Sequence, residues 1–130
     1  MATYYVKNGG FNSGDFTSIA NPAANSYLLR TLVSNGDIVE FMSDGGDIDD
    51  VAGNGLAWVA NVTLRSYSGN TVKPVIRTDA TMSVVTFDVV GVCSAKIDGL
   101  KFMQRSGEAL MEFQALSCQS SQVTTLNGVV

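Results

Sequence analysis

The sequence contains no histidine. Its absence removes the Ser-His-Asp and Cys-His nucleophile systems and the usual zinc and iron sites, all of which draw on an imidazole. Charge is also scarce. Asp, Glu, Lys and Arg make up 15% of residues, against about 25% in ordinary soluble domains. Proline and cysteine each occur twice. Cys93 and Cys118 lack a CxxC spacing, and two thiolates without imidazole make a poor zinc site. Two buried free thiols are expected, with a disulfide between them as the alternative. No stretch approaches the roughly 18 consecutive apolar residues of a membrane span. Lys7, Arg30, Arg65, Lys73, Arg77, Lys96, Lys101 and Arg105 are dispersed along a chain of net charge −4. No basic stripe exists to meet a phosphate backbone or an anionic membrane surface, so neither nucleic acid nor membrane is an expected partner. MATYYVKNGG has no basic segment leading into an apolar one, so no signal peptide is expected.

What is present is apolar. Hydrophobic residues are 45% of the 130, and mean hydropathy is +0.17. That excludes a disordered chain, which is charge-rich and apolar-poor. The length matches one domain, 1–130, with enough surface to bury a single core. The thin charge complement implies that other chains cover part of its apolar surface.

Residues 3–6, TYYV, read as a strand, and 7–18, KNGGFNSGDFTS, as a loop of turn-forming residues. Asn21 as N-cap and Pro22 at the first helical position predict a helix over about 22–34. Its apolar stripe would be Leu28, Leu29, Leu32 and Val33, and Asn35-Gly36 would stop it. Beyond Gly36 short alternating segments predict strands: DIVEFM, NVTLRSY, KPVIRT, VVTFDVV, AKIDGLKF, ALMEFQAL and QVTTLNG. An approximate repeat links them. Val39/Phe41 to Val62/Leu64 spans 23 residues, Cys93 to Cys118 spans 25, and Ile97/Leu100 to Val123/Leu126 spans 26. A period in the twenties carrying short strands points to a solenoid whose turns stack on a shared core. A β-sandwich or jelly roll is the alternative.

TYYVKNGGFNSGDFTS, followed by SYLLRTLVSNGD and IVEF, resembles the N-terminal region of right-handed parallel β-helix proteins of the pectate-lyase-like superfamily. ANVTLRSYSGN and SAKIDGLKFMQ resemble coil sequences of that superfamily. The resemblance implies an all-β fold: a short single-stranded right-handed parallel β-helix. Residues 1–36 would form an N-terminal strand, loop and capping helix, and 37–130 the coils. A small β-helical protein of this type resembles phage virion components such as tail-spike pieces and capsid decoration proteins. The superfamily's calcium-binding acidic cluster with a neighbouring arginine, and its close aspartate pairs, do not carry over. The strand-borne acids Glu40, Asp88, Asp98 and Glu112 are not placed together by the sequence.

Candidate sites are few. Asp44, Asp47, Asp49 and Asp50 in SDGGDIDD could supply oxygens to calcium, but the register of an EF-hand loop is missing, and a solvated loop is expected. Asp88, Asp98, Arg77 and Lys101 on one face would be an acid pair with cations for work on a sugar; an ordinary polar outer face is expected instead. Tyr4, Tyr5, Tyr67 and Trp58 offer rings for stacking on sugars, although Trp58 is expected to seal a loop against the solenoid. Met82, Met103 and Met111 read as core fillers. Asn61-Val62-Thr63 fits an N-glycosylation pattern, and without a secretory signal carries no meaning. The expectation is a non-catalytic structural protein: no catalytic, cofactor or metal residues, and no cofactor. It would assemble as a symmetric homo-oligomer, a trimer favoured, with other virion proteins as partners and the virion, assembled in the host cytoplasm, as its location. Val123, Leu126, Val129 and Val130 would leave an uncovered C-terminal end. The competing class is a carbohydrate-active module, either a lyase or hydrolase fragment or a glycan-binding unit.

Overall fold

The structure, a computed structural model, describes residues 1–49, 56–58, 60–78, 85–87, 96–104, 116–118 and 125–127. Eleven strands occur among them: β1 (Thr3–Phe11), β2 (Ile38–Met42), β3 (Ile48–Asp49), β4 (Leu56–Trp58), β5 (Thr63–Ser66), β6 (Val75–Thr78), β7 (Val85–Phe87), β8 (Lys96–Asp98), β9 (Lys101–Gln104), β10 (Leu116–Cys118) and β11 (Thr125–Asn127). They form three sheets: β1-β2-β5-β8-β11, β3-β6-β9 and β4-β7-β10. Every strand pairing within them is parallel. The fold is all-β. From β2 onward the chain visits the five-stranded sheet, then the β3 sheet, then the β4 sheet, and repeats that order until β11 returns to the first.

Parallel pairing fits the sequence. Parallel sheets are covered on both faces in most folds, and β-branched and aromatic side chains suit such strands. In the five-stranded sheet the alternation of IVEFM and TLRS sends Val39, Phe41 and Leu64 inward. Val39, Leu64 and Ile97 share one register row, each 2% exposed or less. They join Trp58, Ile48, Ile76, Leu100 and Phe102 in one hydrophobic cluster.

The register departs from the sequence repeat. Val39 pairs with Leu64, not Val62, and Ile97 registers with Leu126, not Val123. AKIDGLKF also divides. Gly99, at φ +70, turns the chain between β8 and β9, which belong to different sheets. A positive φ of this kind suits glycine because it has no Cβ. β1 runs on to Phe11, through residues expected to be loop.

The expected helix over 22–34 is absent. Pro22 and Ala23 lie along β1 instead. The Phe11 N–H donates to the Pro22 carbonyl at 2.8 Å, and the Ala24 N–H to the Phe11 carbonyl at 2.9 Å. Backbone committed to an edge pairing is extended and cannot begin a helix, and proline, with no N–H, is tolerated at a sheet edge. The cap falls at Asn25, whose side chain accepts from the Leu28 N–H at 3.3 Å and opens one 3-10 turn, Ser26–Leu29. The remaining segment, SYLLRTLVSN, is too short to hold an α-helix on propensity alone.

The segment still covers the β1 end. Phe16, Ala23, Leu29 and Val33 are buried in the core cluster. The predicted stripe is therefore split: Leu29 is inside, Leu28 half-buried, and Leu32 is 47% exposed. Leu29→Ala is expected to cost about 2–5 kcal/mol in a urea melt. Leu32→Ala should stay within about 0.5 kcal/mol of the parent. Equal losses at both positions would mean that the segment packs differently.

Candidate functional site

The outward row of the five-stranded sheet places Tyr5, Glu40, Arg65 and Asp98 in register, with Asn127 beyond. Alternation creates it: Glu40 sits between inward Val39 and Phe41, while Arg65 follows inward Leu64 and Asp98 follows inward Ile97. Arg65 Nε donates to Glu40 Oε2 at 2.7 Å. The Glu40 side chain is 9% exposed and that of Arg65 41%. Tyr5 and Tyr67 meet edge-on beside this pair, their centroids 6.1 Å apart and their planes at 81°. Such T-shaped contacts place the positive edge of one ring on the negative face of the other.

Glu40 and Arg65 were not singled out together by the sequence. Both are the polar residue within an apolar alternation, IVEFM and VTLRS, and pairing those two patterns in register would have found them. Arg65→Met leaves a nearly buried carboxylate without its cation. The expected loss is about 1–3 kcal/mol, moderated by the half-exposed arginine. The double variant Glu40→Gln/Arg65→Met should recover most of it, because replacing both partners removes the uncompensated charge. Additive losses in a double-mutant cycle would show that the two side chains act independently.

Further polar groups brace neighbouring strands. Asn70 accepts from the Ser43 N–H at 2.8 Å and donates to the Phe41 carbonyl at 2.8 Å and to Ser66 Oγ at 2.9 Å. Asn35 Oδ1 accepts from the Asn61 N–H at 2.8 Å, while the Gly36 N–H donates to the Asn61 carbonyl at 2.7 Å. Asp37, 5% exposed, accepts from the Ala2 and Ser34 N–H groups, each at 2.8 Å.

The acidic loop is tied down rather than gathered. Asp44 pairs with Lys7 at 3.2 Å, and Asp47 pairs with Arg77. Asp49 lies on β3 in register with Arg77, so part of the expected loop is strand. Asp50 lies outside the described residues. Among the described residues no three His, Cys, Asp or Glu side chains come together as a metal-binding group. Of the acid and cation set, Asp98 is on β8, Arg77 on β6 and Lys101 on β9, while Asp88 lies outside the described residues. Arg77 and Asp98 occupy different sheets.

Trp58 is not a loop seal. It lies on β4, fully buried in the core, and is closed to any ligand. Tyr4 packs against the core and donates to the Leu32 carbonyl at 3.3 Å. Burial first, then the negative charges of Asp37 and Asp15, push its phenol above the ordinary value of 10.0. The folded state thus holds this proton more tightly than the unfolded chain. Its stabilising contribution is complete below pH 10 and declines as pH rises through the folded value. Comparing melts of the parent and Tyr4→Phe between pH 9 and 11 checks this: only the parent should lose stability through this group.

Met103 is buried as expected. Met82 and Met111 lie outside the described residues, as does Cys93; Cys118 is on β10, in register with Phe87. Val62 of the glycosylation pattern is buried and Thr63 opens β5. No helix among the described residues is long and apolar enough to cross a membrane. No family model, curated protein or solved structure matches the chain.

Proposed function

We propose that the three sheets wind as a right-handed parallel β-helix, and that the chain is a non-catalytic structural protein of a phage virion. It acts as a symmetric oligomer, three copies favoured, among other virion proteins. The repeated order of sheet visits supports the winding. The right hand follows from the strong general preference of parallel crossovers. The structural role rests on where the described charges go. Glu40–Arg65, Lys7–Asp44 and Asp47–Arg77 each link residues 25 or more positions apart, tying one strand or turn to the next. Side chains used in this way stiffen a scaffold.

Light scattering from micromolar concentration downward tests the reading. A species of three times 13.7 kDa is expected, and a 13.7 kDa monomer at every concentration would overturn the assembly. One observation favours the second reading, a carbohydrate-active module. Glu40 and Asp98 flank Arg65 on one face, beside the Tyr5–Tyr67 pair. Two strand spacings separate the backbones of those acids by about 9.6 Å, and inverting glycosidases hold their carboxyl groups about 6.5–9.5 Å apart. Turnover of pectin or alginate that disappears in both Glu40→Gln and Asp98→Asn would establish that module and displace the structural role.

A further inference from the structure

The geometry points to Asn8 as a site of spontaneous covalent modification, an asparagine that the chain itself converts to aspartate and isoaspartate.

The chain holds four Asn-Gly pairs: Asn8-Gly9, Asn35-Gly36, Asn54-Gly55 and Asn127-Gly128. Asn54, Gly55 and Gly128 lie outside the described residues. In such a pair no side chain shields the glycine nitrogen, which can attack the asparagine side-chain amide. A bond forms between the glycine nitrogen and Cγ, and the Cγ–Nδ2 bond breaks. Ammonia leaves with the proton that the glycine nitrogen gives up. The resulting five-membered imide takes up one water. Opening at the side-chain carbonyl gives aspartate. Opening at the main-chain carbonyl gives isoaspartate, whose backbone is one atom longer.

The two described pairs are held in opposite ways. At Asn35-Gly36 both reacting groups are engaged. The Gly36 N–H donates to the Asn61 carbonyl at 2.7 Å, and Asn35 Oδ1 accepts from the Asn61 N–H at 2.8 Å. Attack there requires local opening first, so the fold suppresses it. At Asn8 the contact is at the leaving end, where Nδ2 donates to the Gly45 carbonyl at 2.9 Å. That bond steadies the side chain without occupying the attacking nitrogen. Asn8 and Gly9 are both exposed, so water reaches the imide. Gly9 and Gly36 share a positive φ and open space around them, so hydrogen bonding is what separates the two pairs.

The product alters the fold. Asn8 ties β1 to the turn that follows β2. Gly45 lies so close to the Asn8 carbonyl that a Cβ there would collide with it, and Lys7 pairs with Asp44 alongside at 3.2 Å. A carboxylate at position 8 has no hydrogen to donate to the Gly45 carbonyl and brings a second negative charge beside Asp44. The longer backbone of isoaspartate disturbs the same close approach. Conversion therefore releases the 43–46 turn from β1.

The test holds folded parent and urea-unfolded parent in mildly alkaline buffer and maps their peptides by tandem mass spectrometry, which locates each amide-to-acid conversion. In the folded protein Asn8 should convert about tenfold faster than Asn35 or more, and in urea the two should convert at similar rates. Equal rates in the folded protein, or an Asn8 that stays intact, would overturn the site. The same ratio in urea would trace the difference to flanking sequence and overturn the role given to the fold. Asn8→Asp, which carries the product's charge, should unfold at a lower urea concentration than the parent. An unchanged midpoint would overturn the release of the turn.

Discussion

Trp58→Ala is expected to destabilise the protein by about 3–5 kcal/mol, among the largest single losses available to it. The residue is fully buried on β4 within the core cluster. Truncation to Ala removes an indole and leaves a cavity that neighbouring strands cannot close without moving. Trp58→Phe should cost much less. The indole Nε1 is buried and has no hydrogen-bond partner among the described residues. Leaving such a donor unpaired costs about 1–3 kcal/mol, so removing it offsets much of the lost volume. Urea melts of the three proteins decide the matter. Trp58 is also the sole tryptophan, which makes parent fluorescence a direct report on this site. Emission from the folded parent should be blue-shifted and move red on unfolding. A loss below about 1 kcal/mol in Trp58→Ala, or solvent-like emission from the folded parent, would contradict its burial.

Trp58 also shows where sequence reading stops. GLAWVAN has no alternation long enough to announce a strand, and β4 spans only three residues. β3 is shorter still: Ile48–Asp49, set within a run of Asp and Gly. Both are strands because parallel neighbours, β7 and β6, supply their hydrogen bonds. Longer segments with clear alternation, such as IVEFM and NVTLRSY, were legible because period 2 fixes which side chains go inward. The same periodicity hides register. Aligning Val39 with Val62 instead of Leu64 is a slip of two, which keeps every side chain on its own face. Nothing local penalises it.

The helix failed for a different reason. Asn21-Pro22 is a sound start signal, but its backbone is drawn to the β1 edge, and tertiary pairing overrides local preference. The Glu40–Arg65 contact was hidden by the slip of two, since its partners come together only in the correct register. A charged pair 25 residues apart leaves no mark in composition or spacing. The residues that brace this surface are thus determined by register, and register by the corners, where Gly99 and the Asn35–Asn61 contact set how much chain each turn consumes.

Leu64→Ala should cost about 2–5 kcal/mol, and the adjacent Thr63→Ala less than about 1 kcal/mol. Both lie on β5, and the main-chain pairing of each with β2 and β8 is retained in the variant. They differ in face. Leu64 is 1% exposed, between Val39 and Ile97 in the inward row, and has no route by which water or backbone can fill its place. Thr63 is half-buried, between Ile38 and Lys96. Its methyl and hydroxyl can be replaced by solvent. The contrast tests the register as well as the burial. Were the strand slipped by one residue, Thr63 would occupy the inward row and Leu64 would face outward, reversing the two losses. Guanidinium melts with a common slope for all three proteins are the measurement. Similar losses at both positions would show that β5 is buried on both faces, and a larger loss at Thr63 would reject the register on which the Glu40–Arg65 pair depends.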